Sequence, residues 1–356
     1  MDPAGDVEDR PSRLGASQAA FEIRAYKPED EPQVLDLLQA AFGGWPSEVE
    51  AQRPAELFRW KHMESPFGPS ILLVAEASGA VIGFQAWLRW RLRAAGRTFH
   101  GLRAVDLAVD AEHRRRGVYA ALIRAGMQHF PEETAFTLSN PNPRSRPAAI
   151  KSGLSEIGQF PLFLRVRSPI RLGMSLIDER RREDAREPSP AVEAEPAAEA
   201  LLDGDAVGSL LAEAEEPEAR LRTVKDLDYL RWRYGSLSLY RAVRVQRGGR
   251  LAGMAIFRVR RRGPRLVLTI CELLVAGSDR RLARQLLRQV VNASPADFLI
   301  CHFPSRSTQR QAAVQCGFLH LPRGPVPTIR LLSTDMVPDP TRQASWALCL
   351  GDLDLL

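Results

Sequence analysis

Apolar and polar positions alternate over residues 21–26. The period then lengthens to that of a helix, with Val34, Leu35, Leu37, Leu38 and Phe42 on one face behind Pro28 and three acidic or capping positions. Proline and carboxylates belong at a helix N-terminus, so the chain is predicted to open as strand then helix. Two apolar stretches, 71–75 and 81–88, flank Ser78-Gly79 and predict a hairpin. Val105, Leu107 and Val109 restore the period of two for a further strand. Residues 110–113 break it, and an apolar helical face resumes through Val118, Leu122 and Ile123. A strand over 135–139 and a short helix over 144–152, stopped by Gly153, complete the pattern. Strands and helices mixed in this order predict an α/β (α+β) fold.

Two segments fall outside the pattern. Residues 1–20 show no apolar period and are expected to be disordered, and 178–200 (DERRREDAREPSPAVEAEPAAEA) reads as a linker with little to pack. Beyond the linker the first pattern returns. Phe58-Arg-Trp-Lys-His finds a counterpart in Leu230-Arg-Trp-Arg-Tyr, and Val81-Ile-Gly-Phe in Leu251-Ala-Gly-Met. The interval from Asn142 to Gly153-Leu154 matches that from Arg306 to Gly317-Phe318. Three matches in one order argue for a tandem duplication, with units at 21–170 and 201–356.

A length of 356 residues suits two units of moderate size. With 45% hydrophobic and 26% charged residues the chain reads as soluble, and no run approaches the ~20 apolar residues of a membrane span. The first fifteen residues lack the layout of a signal peptide, so a cytoplasmic location is expected, with no membrane partner. Cys271, Cys301, Cys316 and Cys349 show no metal-ligand spacing and read as buried thiols of a reducing compartment, with no metal site. The net charge of +6 comes with only four lysines among 49 basic residues, a bias better explained by codon usage than by a binding surface. The basic clusters at 114–116 and 258–265 lack interleaved aromatics, so nucleic acid is not an expected partner. The second cluster surrounds Gly263-Pro264, a predicted hairpin tip.

The most informative stretch is 105–122, an apolar strand running through an Arg-rich turn containing Gly117 into a helix. The turn from Arg114 to Tyr119 would present unpaired N–H groups at the positive end of a helix dipole, which favours phosphate. Arg114-Arg115-Arg116-Gly117-Val118-Tyr119 resembles the Gln/Arg-x-x-Gly-x-Gly/Ala motif of the GNAT acyltransferase superfamily, which cradles the pyrophosphate of acetyl-CoA. Asn142 followed by Gly153-Leu154 resembles that superfamily's downstream signature. The likeness is good over 21–165 and weaker over 201–335, so the whole chain resembles bacterial tandem-GNAT proteins, which implies two units, each a mixed, mostly antiparallel central sheet flanked by helices.

The resemblance implies that residues 114–119 bind the pyrophosphate, that the backbone at Leu107 and Val109 pairs with pantetheine and polarises the thioester, and that Asn142 bonds the CoA arm. Asn140-Pro141-Asn142-Pro143 is also a good turn, and Arg114 and Arg116 also read as solvated charges. Tyr119 replaces a small residue and is tolerable if its side chain turns into the helix-packing side. Ala149 replaces a tyrosine that protonates the departing thiolate in many members. A positioned acid is worth roughly 10² to 10⁴ in rate, yet a thiolate of pKa about 8.5 leaves without one. Asp106 is a lone charge in an apolar strand. It reads as general base, as a clamp on a cationic substrate, or as an ion-pair partner of Arg103 or Arg89. The stretch at 58–62 reads as an acceptor-pocket wall or as a helix anchor. In the second unit, residues 276–283 lack the cradle glycine and bring in Asp279, which implies a structural pseudo-domain. Trp346 and 351–354 are expected to close the second sheet.

The expected activity is acetyl-CoA-dependent transfer to an amine of a small molecule or peptide, performed in the first unit. A non-catalytic acyl-CoA-binding scaffold and an aminoacyl-tRNA-dependent peptidyl transferase are the alternatives, and oligomer formation stays open.

Overall fold

The computed structural model describes residues 21–45, 53–167, 192–214, 219–262 and 265–353. The expectation of disorder over 1–20, most of the linker and the tip at Gly263-Pro264 lie outside these residues. The first strand, β1 (Glu22–Ala25), leads through a 3-10 turn begun by Pro28 into α1 (Glu31–Phe42). Next come α2 (Pro54–His62), the hairpin β2 (Ile71–Ala77) and β3 (Ala80–Ala94), then β4 (Arg97–Val109). The predicted strands at 81–88 and 105–109 are the far ends of a single long hairpin turning at Ala95-Gly96. After it follow α3 (Val118–Gln128), β5 (Thr134–Ser139), α4 (Arg146–Lys151), β6 (Ser155–Glu156) and β7 (Leu162–Val166).

The second unit repeats this order. Its elements are β8 (Glu195–Pro196), α5 (Ala197–Ala200), α6 (Gly204–Glu213), β9 (Arg222–Thr223) and α7 (Leu227–Leu230), with a π turn over Arg231–Gly235. Strands β10 (Tyr240–Arg247), β11 (Arg250–Arg262) and β12 (Arg265–Val275) precede α8 (Arg280–Asn292) and β13 (Phe298–Cys301). The chain then runs through α9 (Thr308–Gln315), β14 (Leu319–Leu321), β15 (Thr328–Leu331) and α10 (Leu350–Leu353). The linker expectation needs correction at its end. Residues 195–200 form β8 and α5, and Ala197 and Ala200 are fully buried, because two small alanines let the helix lie flat on β10.

The two sheets are not the two halves of the chain. The first runs β1-β2-β3-β4-β5-β15-β6, with β9 paired to β3; the second runs β14-β7-β13-β12-β11-β10-β8. Each unit has given its late strand to the other. In the first sheet β15 pairs antiparallel with β5, and in the second β7 pairs antiparallel with β13. The two units therefore interlock in space.

The same physics seats a helix on each sheet. A Cβ at Gly83 would lie 2.8 Å from Val118 Cγ1, and one at Gly253 2.8 Å from Leu286 Cδ1. Only glycine lets α3 and α8 approach β3 and β11 so closely. Between the units Trp60 and Trp232 stack with ring centroids 5.2 Å apart. Trp60 Nε1 donates to the Trp232 carbonyl at 2.6 Å and Trp232 Nε1 donates to the Trp60 carbonyl at 2.9 Å, a reciprocal pair about a local two-fold axis. Phe67, Trp90 and Tyr229 extend this contact into one apolar core shared by both units.

Trp60→Phe removes an indole donor and leaves the buried Trp232 carbonyl without it. A loss of about 1 to 3 kcal/mol is expected in urea unfolding, and both units should still melt in one transition, since their sheets share strands.

Candidate active site

Strands β4 and β5 run parallel and pair from His100↔Thr134 to Arg103↔Leu138, after which they part. The parting opens a cleft of about 380 Å³ walled by Val105, Asp106 and Leu107 on one side and Asn140, Asn142 and Ala149 on the other. On the other edge of β4, Phe84 faces Ala108 and Ala86 faces Val105, so Asp106 and Leu107 oppose the single residue Gln85. Gln85 Nε2 holds this bulge by donating to the carbonyls of Val105 at 2.9 Å and Ala86 at 2.6 Å. Asp106 lies at φ 52, in the left-handed region that Asp tolerates better than most residues. The bulge thus aims Asp106 at α2 and leaves the β4 backbone bare along the cleft.

Asp106 receives two neighbours in sequence from the last turn of α2. Lys61 Nζ lies 2.8 Å from Oδ2 and 2.9 Å from Oδ1, and His62 Nε2 lies 3.1 Å from Oδ2. Burial pushes the Asp106 carboxyl upward, but the Lys61 charge and the His62 hydrogen bond outweigh it and hold the group well below the usual carboxylate range. Burial lowers the His62 pKa, against the pull of Asp106. A neutral His62 therefore donates from Nε2 to Asp106 and accepts at Nδ1 from the Ser70 hydroxyl, 3.1 Å away. The expected partners Arg103 and Arg89 are engaged elsewhere. Arg103 Nη1 donates to the Asp352 carbonyl at 2.5 Å, and Arg89 to the Pro69 carbonyl at 3.0 Å. Of the stretch 58–62, Trp60 anchors the units, Lys61 lines the cleft, and Lys61 and His62 hold the Asp106 bulge.

Gly117, at φ 85, caps the head of α3 in the left-handed conformation, and no side chain caps that helix among the described residues. A Cβ on Gly117 would meet nothing within 4 Å, so the space before the helix is open. The first-turn amides of α3 lack intrahelical acceptors and face it. Arg114, Arg115 and Arg116 are exposed around this opening, and Arg114 Nε donates to the Val109 carbonyl at 3.2 Å. His113 is a turn residue paired with Asp110 at 2.9 Å. Leu107 walls the cleft, and Val109 pairs with Gly83 at the end of β4. Tyr119 is half-buried and turned into the cleft beside Ala149, near Ser152, while Val118 takes the core-facing position. Asn142 Oδ1 accepts from the amides of Arg144 and Ser145, both at 2.9 Å, so this oxygen builds the turn before α4 and only Nδ2 stays available. The second unit completes the cleft: Leu353 of α10 lines it, and Asn140 Nδ2 donates to the Leu353 carbonyl. Residues 346–353 therefore serve both units, since α10 also packs on β12.

The second unit repeats the dyad with different atoms. Tyr234, counterpart of His62, donates to Glu272 on the bulged strand β12 at 2.7 Å. Glu272, Cys349 and Asp352 offer atoms within 4.8 Å of one another, a grouping that sequence spacing does not reveal. Lys225 Nζ sits among them, 2.8 Å from Glu272, 3.1 Å from Asp352 and 3.2 Å from Cys349 Sγ, so a cation of the protein itself holds that place. Among the described residues no helix is long and apolar enough to cross a membrane.

The family model of the acetyltransferase (GNAT) domain matches residues 22–140. No curated protein sequence matches the chain. Among solved structures, a GCN5-related N-acetyltransferase from Anabaena variabilis superposes with a TM-score of 0.59 at 13% identity, over 88% of this chain and 73% of that one. A probable N-acyltransferase from Enterococcus faecalis gives 0.58 at 14% identity, over 87% and 72%. Saccharomyces cerevisiae N-myristoyltransferase with bound myristoyl-CoA gives 0.57 at 12% identity, over 98% and 89%. At such identities the likeness is one of fold, and it spans both units.

Lys61→Met leaves a buried carboxylate without its cation and should cost about 3 to 5 kcal/mol in denaturant unfolding, most of it recovered in Lys61→Met/Asp106→Asn. The Asp106 carboxyl titrates lower in the folded chain than at its unfolded value near 3.9. Its contribution is therefore complete above about pH 4 and withdrawn as pH falls further. Asp106→Asn should flatten the pH dependence of stability below that point in an acid titration followed by circular dichroism.

Proposed function

We propose that the chain, whose residues 22–140 match the acetyltransferase (GNAT) domain model, transfers the acetyl group of acetyl-CoA to an amine of a small molecule or peptide, in the cleft of the first unit. The observation that carries this reading is the head of α3 at Gly117, which carries no side-chain cap and opens onto the parting of β4 and β5. Acetyl-CoA supplies the thioester and the thiolate leaving group. The amides of residues 117–119 and the guanidinium groups of Arg114 to Arg116 fit its pyrophosphate, and a charge-assisted contact of this kind is among the strong hydrogen bonds. The bare backbone of β4 at Leu107, with Val109 at its cradle end, fits the pantetheine arm and a donor role toward the carbonyl oxygen. Asn142 Nδ2 is the group left to meet the arm. Leu353 closes the acceptor side, so the amine enters from between the units.

Asp106 is assigned a positioning part. A carboxylate held so far below its usual range is a weak proton acceptor, and both of its oxygens are taken by Lys61 and His62. What it supplies is a fixed bulge and a compensated charge on the cleft wall. Ala149 offers no proton to the departing thiolate, and a thiolate of pKa about 8.5 leaves without one at neutral pH. The absence of an acid at 149 and the paired state of Asp106 are also what a non-catalytic acyl-CoA-binding protein would show. A cytoplasmic setting fits the four free cysteines, all buried in the fold.

Calorimetric titration of acetyl-CoA into the wild type and Gly117→Glu separates the cases. A side chain there is strained at positive φ, which should lower stability by about 1 to 2 kcal/mol, and it sets a carboxylate where phosphate would lie, so micromolar binding should disappear while the chain still melts cooperatively. Thiol release over a library of amines then distinguishes the two readings. Turnover with any amine establishes the enzyme, binding without turnover leaves the scaffold, and no binding overturns both. If Asp106 positions, Asp106→Asn lowers kcat without moving the pH profile; if it is the base, the acidic limb of that profile vanishes.

A further inference from the structure

The second unit has its own parting of strands, β12 from β13 beyond Thr269↔Ile300, above a floor where Lys225 bonds Glu272 and Cys349. A separate cavity of about 380 Å³ lies where the chain crosses between the two sheets. The connection from β6 to β7 and that from β14 to β15 run side by side there, the amides of Ile157 and Phe160 donating to the carbonyls of Pro327 at 3.0 Å and Pro325 at 2.9 Å. Phe160 lines the cavity from the first crossing and His320 from the second. His302 and Arg310 reach it from the end of β13 and from α9, and Trp346 from the tail.

Its charged lining is of one sign. Arg310, His302 and His320 face it, and no Asp or Glu does. Arg310 stands over the Phe163 ring at 5.1 Å, and its guanidinium makes no ion pair or hydrogen bond among the described residues. His302 is 4% exposed and packs edge-on against Phe160. Its Nδ1 lies 2.7 Å from the Pro161 carbonyl. A carbonyl only accepts, so Nδ1 carries the proton, and in the neutral ring Nε2 is left with a lone pair. Burial, reinforced by the Arg310 charge, keeps the ring neutral against the opposing pull of Asp352 and the Pro161 bond. Nε2 has no partner among the described residues and is not sealed from solvent, so its lone pair opens onto the cavity.

A ligand that satisfies both groups brings an anionic oxygen to Arg310 and a proton to Nε2. A phosphate monoester carries both on one phosphorus, because its second ionisation, at a pKa of about 6, leaves a proton to share near neutrality. A carboxylate, of pKa about 4, and a sulfate ester have none to share. Phe160 and Trp346 offer an apolar face to the rest of the molecule, and the volume is that of a small-molecule site.

We propose that this cavity is a binding site for a small phosphate monoester with an aromatic or apolar alcohol part, its phosphoryl group held between Arg310 and His302. The proposal does not depend on acyl transfer in the first unit. The open head of α3 also suits phosphate, so the test is read with that head blocked.

Phenyl phosphate titrated calorimetrically into full-length Gly117→Glu should bind once per chain, and phenyl sulfate, of nearly the same shape but without the proton, at least ~tenfold more weakly. In the same background Arg310→Gln should weaken phenyl phosphate by at least ~tenfold. His302→Asn keeps a donor for the Pro161 carbonyl and removes Nε2, so phenyl phosphate should fall to the level of phenyl sulfate, with a cooperative thermal melt showing each chain folded. No binding in Gly117→Glu, or binding that survives Arg310→Gln, overturns the proposal. Phenyl sulfate as tight as phenyl phosphate, or no effect of His302→Asn, overturns the shared proton and with it the phosphate class. Inorganic phosphate binding as tightly as phenyl phosphate overturns the organic part.

Discussion

The reciprocal hydrogen bonds of Trp60 and Trp232 are the constraint on which the arrangement rests. Each indole satisfies the other's backbone carbonyl in an interior where an orphaned group is costly. Neither half of that exchange exists unless both units are folded and in register. The last turn of α2 and the π turn after α7 are pinned at the axis, and the residues next in sequence are pinned with them. Lys61 and His62 are thereby carried to Asp106, and Tyr234 to Glu272. A packing contact between units is thus also what shapes the bulged strand in each cleft.

Two clefts of common design have been driven apart by few side chains. Both arise where parallel strands part beyond a bulge. At the mouth of one, Gly117 leaves helix amides open; at the mouth of the other, Asp279 closes them. Asn140 and Asn142 line the first, while Phe303 and Pro304 line the second. The tail joins the two: Asp352 binds Lys225 on the floor of the second cavity, and Leu353, the next residue, walls the first cleft. Any movement of one peptide is felt on both sides.

Local features were legible in the sequence because their causes are local. The run from strand through Gly117 into α3, the stop at Gly153 and the repeat of Arg-Trp each depend on neighbours a few residues away. What escaped depends on distance along the chain. The partner of Asp106 is Lys61, 45 residues upstream, so inspection of nearby arginines could not find it. The hairpin of β3 and β4 reached further than its apolar ends suggested, because its outer half is covered by Thr223 and Tyr229 of the other unit. The place of Tyr119 in the cleft was not legible, because a six-residue motif does not say which of two adjacent side chains faces the core. The exchange of β7 and β15 leaves no local trace, since either strand would read the same in either sheet.

That exchange has a consequence for the order in which the molecule can be made. A nascent chain emerges from its N-terminus, and domains ordinarily complete themselves as they appear. Here the first sheet lacks the strand beside β5 until residues 328–331 are available, and the cleft lacks its wall until Leu353 follows. The early unit must wait, with the edge of β5 unpaired, through the synthesis of nearly the whole second unit. An open edge of that kind is where a chain pairs with the wrong partner. Duplication with exchanged strands therefore ties the birth of the first site to the completion of the second half.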